Sequence, residues 1–345
     1  MNHLLVIPIF IPHAGCRHNC VFCDQNRITG QRTARIAIPQ IRATIKTWLD
    51  RHWNPDRREQ VQIAFYGGSF TALPASEQEE LLAEACRWLR LGVVHTIRLS
   101  TRPDCIDRPV LSLLKRYRVG IVELGVQSMD NRVLAAAGRG HTADHTRLAF
   151  ARLREEGFLI GAQLMLGLPA ETRKSIRKTT AEILALRPDF VRIYPVLVLR
   201  GTRLAAMYRQ GRYQPLSLAR AIVLAATMRK DLEQGSIPVI RMGLQPGQSL
   251  EKSLVAGPHH PAFGELVRSR HMEYRIRRAL APLAAGQTGL LLVSEQDRSL
   301  FSGHGGILLR RLERLGMGER FSLRFLPTMQ RDQVRLVSEG TEKAP

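Results

Sequence analysis

Lysine is scarce in this chain, with 7 residues against 44 arginines, and aromatic residues make up only 6%. Acidic residues are thin as well, 30 against 51 basic ones, which leaves a formal net charge of +21. A balance this basic points to a polyanionic partner, nucleic acid first. Arginine enrichment has a second source in GC-rich coding, and the arginines run along the whole chain rather than clustering in an arm. Long apolar runs are missing: none approaches the roughly 18 residues of a membrane span. The start, Met1-Asn2-His3-Leu4, lacks the charged segment and small-residue cleavage site of a signal peptide. These absences predict a cytoplasmic protein without membrane attachment. Repeats beyond a βα alternation and low-complexity segments are also missing.

Cysteines number only five, yet three of them, Cys16, Cys20 and Cys23, fall within eight residues as C-x3-C-x2-C. They sit on the loop leaving an apolar run, Leu4–Ile11, that reads as a strand. Three thiolates on one tight loop can hold three irons of a four-iron cluster, leaving the fourth iron open to a substrate or cofactor. A zinc site wants four closed ligands, often from C-x2-C pairs. Only Cys20 and Cys23 form such a pair, and His13 or His18 could complete a three-Cys, one-His set. A disulfide with a spare thiol is the remaining arrangement, though exposed cluster thiolates suit a reducing compartment. Cys86, in a helical pattern, and Cys105, near a strand end, read as small core residues.

The chain is long enough, at 345 residues and 44% hydrophobic, for one large domain and an extension. Strands are expected at 4–11, 61–66, 95–99, 119–124, 159–166 and 190–194. Helices are expected between them at 41–50, 76–91, 110–117, 142–156 and 172–186, the second capped by Ser76 with Glu79. Strands this apolar, alternating with helices, predict an α/β fold with a parallel sheet, a partial (β/α)6 barrel. Ligands of such barrels bind at the C-terminal strand ends. Further helices at 203–209 and 217–234 and a short strand at 237–242 lead to a Gly/Pro-rich boundary, Gly243–Gln248. The expected domains are the barrel over 1–245, a small C-terminal α/β extension over 246–330 capping it, and a frayed polar tail over 331–345.

Several candidate binding residues fall just after these strands. Tyr66-Gly67-Gly68-Ser69 ends the second, where two glycines permit close backbone approach. Ser100-Thr101-Arg102-Pro103-Asp104 follows the third, and Glu123 to Ser128 spans the end of the fourth. Gly167-Leu-Pro169 follows the fifth, and Arg192-Ile-Tyr194-Pro195 ends the sixth. A carboxylate buried at a strand end must be paired or bind something, and polar residues satisfied by barrel-end backbone are the simplest alternative. Asp24 and Gln25 read either as neighbours of the cysteine site or as ordinary loop residues. The Ser302–Gly306 loop reads as a glycine-rich helix start, and His259-His260 as a rigid loop over the substrate entrance. The helix Arg268–Arg278 is the candidate RNA contact, with a solvated face as the alternative.

The C-x3-C-x2-C spacing resembles the signature of the radical S-adenosylmethionine (SAM) superfamily, with Phe22 at the motif's aromatic position. In that superfamily the open iron of a [4Fe-4S] cluster chelates SAM, and an electron from the cluster cleaves it to methionine and a 5'-deoxyadenosyl radical. The order of the remaining motifs is similar to one branch, the radical SAM domain of the Elongator catalytic subunit. The shared segments are Thr101–Asp104, Glu123–Ser128, Arg139-Gly-His-Thr142, Gly167–Pro169, Ile193–Pro195 and Leu199–Thr202, within roughly Ile7 to Leu244. The resemblance implies that Cys16, Cys20 and Cys23 bind the cluster. It implies SAM across the strand ends, contacted by Tyr66, Gly67, Gly68, Ser69, Ser100, Arg102, Glu123, Gln127, Gly167 and Tyr194, with Phe22 near the adenine. An electron donor such as ferredoxin or flavodoxin is implied too. Departures are a closer cysteine spacing, Ser69 and Ser100 where glutamates are usual, no basic N-terminal arm, and too few remaining residues for an acetyltransferase domain. The expected function is radical modification of tRNA or other RNA. The alternatives are a small-molecule radical reaction, on a tetrapyrrole or metabolite, and a non-catalytic RNA-binding protein keeping a cluster or zinc.

Overall fold

A computed structural model describes residues 4–11, 20–24, 37–53, 60–245, 247–284, 286–303 and 305–338. Its strands are β1 (Leu4–Ile11), β2 (Gln60–Gly67), β3 (Thr96–Thr101), β4 (Val119–Gln127), β5 (Leu159–Leu166), β6 (Phe190–Pro195), β7 (Val198–Leu199), β8 (Val239–Met242) and β9 (Leu254–Ala256). Seven of them form one parallel sheet, ordered β1-β2-β3-β4-β5-β6-β8. The helices between them are α1 (Ile38–His52), α2 (Ala75–Arg90), α3 (Arg108–Arg116), α4 (Asn131–Ala136), α5 (Ala143–Glu155), α6 (Arg173–Leu186), α7 (Arg203–Arg209), α8 (Leu218–Gln234) and α9 (Gln248–Ser253). This is the expected partial α/β barrel, with the short strand after α8 added as a seventh at the β6 edge.

Side-chain alternation along the strands divides the sheet into two faces. Val61, Ile63 and Phe65 of β2, Ile97 and Leu99 of β3, and Val122, Leu124 and Val126 of β4 are fully buried. Ile160, Ala162, Leu164 and Leu166 of β5 and Val191 and Ile193 of β6 continue that apolar face. The other face mixes apolar residues, among them Phe10, Ala64, Ile121, Met165 and Phe190, with a polar group: Gln62 and Tyr66, Arg98 and Ser100, Glu123 and Gln127, Gln163, and Arg192 and Tyr194. One face is thus uniformly apolar, and the centre of the other carries a polar bed.

Several helices begin at side-chain caps: Asp107 accepts from Val110 N, Thr142 from His145 N, Thr172 from Ser175 N and Thr202 from Ala205 N. The expected cap at Ser76 is displaced. Pro74, with its fixed φ, stands at the N-cap and draws Ser76 into the first turn of α2.

The chain divides into two units, Met1–Leu218 with Asp231–His259, and Ala219–Lys230 with His260–Pro345. The Gly243–Gln248 segment therefore lies inside the first unit, because β9 pairs antiparallel with β7 and ties the following residues to it. The second unit contains α10 (Phe263–Leu280), β10 (Gly289–Ser294), α11 (Arg298–Ser302), α12 (Ile307–Arg314), β11 (Phe321–Leu326) and β12 (Val334–Ser338). Its sheet runs β11-β10-β12. The tail expected to fray from Arg331 instead supplies β12, because Val334 and Leu336 pack on the apolar cluster around Leu291, Val293 and Ile276.

Candidate active site

The polar bed is organised around Glu123, which is 0% exposed. Arg98 Nε donates to its Oε1 at 2.5 Å, and Arg192 Nε lies 3.0 Å from its Oε2. Tyr66 OH donates to Oε1 at 3.2 Å and Gln163 Nε2 to Oε2 at 3.3 Å. The network spreads outward: Arg192 Nη2 donates to the Tyr66 oxygen at 2.9 Å, and Gln163 Nε2 also reaches Ser100 Oγ at 3.3 Å. Arg98 stacks over the Phe190 ring, 4.6 Å from its centroid. Two guanidiniums thus share one carboxylate, an arrangement stable in a low-dielectric interior only while all three are present. Burial works against the Arg192 charge, but Glu123 and the two tyrosine oxygens outweigh it and raise its pKa. Burial, then the Glu123 charge, push the Tyr66 phenol up to about 12, so it stays a donor at neutral pH. Four side chains of this chain occupy the Glu123 oxygens, while Tyr66, Ser100 and Tyr194 line the same bed.

The described part of the cysteine loop, residues 20–24, is anchored by backbone. Val21 N donates to Ala137 O at 3.0 Å, Leu204 N donates to Val21 O at 2.7 Å, and Cys23 N closes a turn on Cys20 O at 3.1 Å. Val21 packs with Val133, Ala137, Leu168 and Val196, and Phe22 lies against that cluster. No described cysteine is in a disulfide. Cys16, His13, His18 and Gln25 lie outside the described residues.

Arginines surround this loop. Arg139 Nη1 donates to Cys20 Sγ at 3.2 Å, and Nη2 to Gly125 O at 2.6 Å. Arg102 grips Asp104 through two bonds of 2.9 Å. Burial opposes the charge of each, but their mutual pairing prevails, raising Arg102 and holding Asp104 below the usual carboxylate range. His141 is pushed down to about 3 by burial, then by Arg139 and Arg102, and remains neutral with Nε2 3.3 Å from Val126 O. Gln127 ends β4 at φ +65 with its Oε1 buried and without a partner. The residues fit an anionic cluster: the Arg139 guanidinium, 7% exposed, has no carboxylate partner among the described residues and faces a thiol of the motif.

Two glycines on the rim are required by backbone. Gly67 has φ +105, and a Cβ there would stand 2.8 Å from Ile11 O. Gly167 has φ +92 beside Leu216; its carbonyl accepts from Tyr213 OH at 2.6 Å, and its N–H donates to Glu171 Oε2 at 2.5 Å. Burial pushes Glu171 up to about 7, against the pull of the Gly167 and Leu168 amides. A carboxyl raised on folding holds its proton in the native state, so its contribution to stability is full at low pH. That contribution is lost as pH climbs through the folded pKa. Glu171→Gln, which keeps an accepting oxygen, should therefore gain stability relative to the parent protein between about pH 5 and pH 8. Urea unfolding of both at several pH values checks this; a constant difference would refute it.

The candidate RNA helix reads differently in the structure. Arg268 bonds Asp297 at 2.5 Å and Asp332 at 3.3 Å. Arg270, Arg277 and Arg311 converge on the buried Glu273 at 2.5, 3.8 and 2.6 Å. Most of these charges hold the second unit together, because a buried carboxylate recruits the nearest cations. Sequence reasoning passed over Arg98, Gln163 and the pairing role of Arg192. The signal was there: a charged or amide residue at the polar positions of otherwise apolar strands.

A parallel half-barrel with a cysteine loop at its rim and a polar inner face defines a class of cofactor-dependent radical enzymes. The Radical SAM superfamily profile matches residues 10–183, and the Radical_SAM C-terminal domain matches residues 188–273. The chain belongs to the radical SAM superfamily and is an enzyme of it. It is 28% identical over 262 residues to tRNA uridine(34) acetyltransferase of Methanocaldococcus infernus, covering 64% of this chain and 48% of that one. It is 30% identical over 188 residues to Elongator complex protein 3 of Bos taurus, covering 49% of this chain and 34% of that one. The chain thus spans less than half the length of these two curated relatives. The structure of Methanocaldococcus infernus Elp3 with an N-terminal deletion superposes with a TM-score of 0.62 at 22% identity, over 79% of this chain and 63% of that one. No helix among the described residues is long and apolar enough to cross a membrane.

Proposed function

We propose that this radical SAM enzyme holds a [4Fe-4S] cluster on Cys16, Cys20 and Cys23 and acts on tRNA or another RNA in the cytoplasm. The observation that carries the cluster assignment is the buried Arg139 guanidinium on Cys20 Sγ. When bound, the cluster supplies the electron that cleaves SAM, drawn from a ferredoxin- or flavodoxin-type donor. The chain's own residues hold SAM: Gly67 and Gly167 let it approach the backbone, and Tyr66, Ser69, Ser100, Gln127 and Tyr194 offer polar contacts. Glu123 keeps Arg98 and Arg192 in register, Arg102 and its partner Asp104 stiffen the rim, and Phe22 would lie near the adenine. The RNA assignment is supported by the names of the two relatives and by the net charge of +21.

Phosphate contacts release counterions, so RNA affinity should fall by roughly 10³–10⁵ between 50 and 200 mM salt if 6–10 phosphates are engaged. Titrating bulk tRNA at rising salt, alongside an assay for 5'-deoxyadenosine, tests both halves. Binding that is absent even at low salt, with 5'-deoxyadenosine still formed, would leave a small-molecule substrate as the account.

A further inference from the structure

We propose that Arg139 is a positioning residue that sets the reduction potential of the cluster by hydrogen-bonding Cys20. The inference rests on Cys20 being a cluster ligand. Other buried arginines of the first unit meet carboxylates: Arg98 and Arg192 meet Glu123, and Arg102 meets Asp104. Arg139 meets none among the described residues, although it is 7% exposed. A buried guanidinium without a counter-charge costs several kcal/mol, so its anion must come from the site it faces. Its nearest such group is Cys20 Sγ, at 3.2 Å.

The placement is built into the chain. Arg139 follows α4, where its N–H closes back on Leu134 O at 3.0 Å and Gly138 N on Ala135 O at 3.0 Å. Gly138 and Gly140 flank it at φ +66 and +71, so the chain reverses sharply and turns the side chain toward the cysteine loop. Gly125 completes the cradle: a Cβ there would stand 3.2 Å from Arg139 Nη2, in the path of the 2.6 Å bond to Gly125 O. The same α4 end receives the cysteine loop, through Val21 N on Ala137 O. The arginine and the cysteine loop are thereby both tied to the end of α4.

Reduction adds one negative charge to the cluster and its thiolates. A hydrogen bond to a ligand sulfur and a nearby positive charge favour the reduced form, as hydrogen bonds and charge do for iron–sulfur sites generally. Arg139 thus makes the cluster easier to reduce by the donor.

The test is an EPR-monitored redox titration of the reconstituted parent protein, Arg139→Gln and Arg139→Lys, each with its iron content. Arg139→Gln should lower the one-electron reduction equilibrium about tenfold, a shift of about 59 mV. Arg139→Lys keeps the charge but cannot span both Gly125 O and Cys20 Sγ, and should fall between. Variants with full iron and the parent potential overturn the inference. A parent protein that takes up no iron overturns the cluster assignment instead. Should the glutamine variant fail to hold a cluster, the parent protein grown with guanidino-15N arginine decides. Nitrogen hyperfine coupling to the reduced cluster, absent from Arg139→Lys, supports the inference, and no coupling in the parent overturns it.

Discussion

Cys23→Ala will abolish 5'-deoxyadenosine formation from SAM and leave the anaerobically reconstituted protein short of iron. The parent protein should take up about four irons, as a four-iron cluster requires. Two remaining thiolates cannot hold the same cluster. The effect should be confined to the site, because residues 20–24 are anchored through backbone atoms. Val21 and Leu204 bond across to their neighbours whether or not a sulfur sits at position 23. Thermal unfolding of the metal-free variant should therefore match the metal-free parent. A variant with full iron and undiminished 5'-deoxyadenosine would remove Cys23 from the site. One zinc per parent chain and no iron after reconstitution would replace the cluster with a zinc module.

Glu123→Gln should destabilise the barrel unit by about 3–5 kcal/mol, the usual cost of removing one partner from a buried ion pair. The substitution keeps the shape and deletes the charge that Arg98 and Arg192 share at 2.5 and 3.0 Å. Both cations would then face each other in a largely buried layer, with Tyr66 and Gln163 offering only neutral groups. Urea unfolding reads the loss as a lowered midpoint. A double variant, Glu123→Leu with Arg98→Met, should recover part of it, since it leaves one unpaired cation, Arg192, where Glu123→Gln leaves two. A glutamine variant with the parent midpoint would mean that the carboxylate does not hold these arginines.

Local pattern carried much of the architecture. The apolar runs and the helical stretches between them place six strands within three residues of where they lie. The glycine motifs at Gly67 and Gly167 fall at strand ends. Where the reading faltered, a tertiary contact had overruled a local signal. The polar tail became a strand because Val334 and Leu336 found an apolar cluster to cover. The basic helix reads as an RNA surface in isolation, yet Glu273, Asp297 and Asp332 claim three of its arginines, Arg268, Arg270 and Arg277. Glu123 reads as a ligand contact, and in the structure Arg98 of β3 and Arg192 of β6 both meet its carboxylate.

By itself the sequence determined the cysteine spacing, the alternation of strand and helix, and the backbone freedom at Gly67 and Gly167. All of these are properties of short stretches of chain. Only the tertiary structure decided which charges meet. Glu123 and Arg98 are 25 residues apart, and Cys20 and Arg139 are 119 apart. With 44 arginines and 30 acidic residues available, local sequence does not select a pairing. Burial does, because an unpaired charge is costly in a low-dielectric interior and each buried guanidinium must meet an acceptor there.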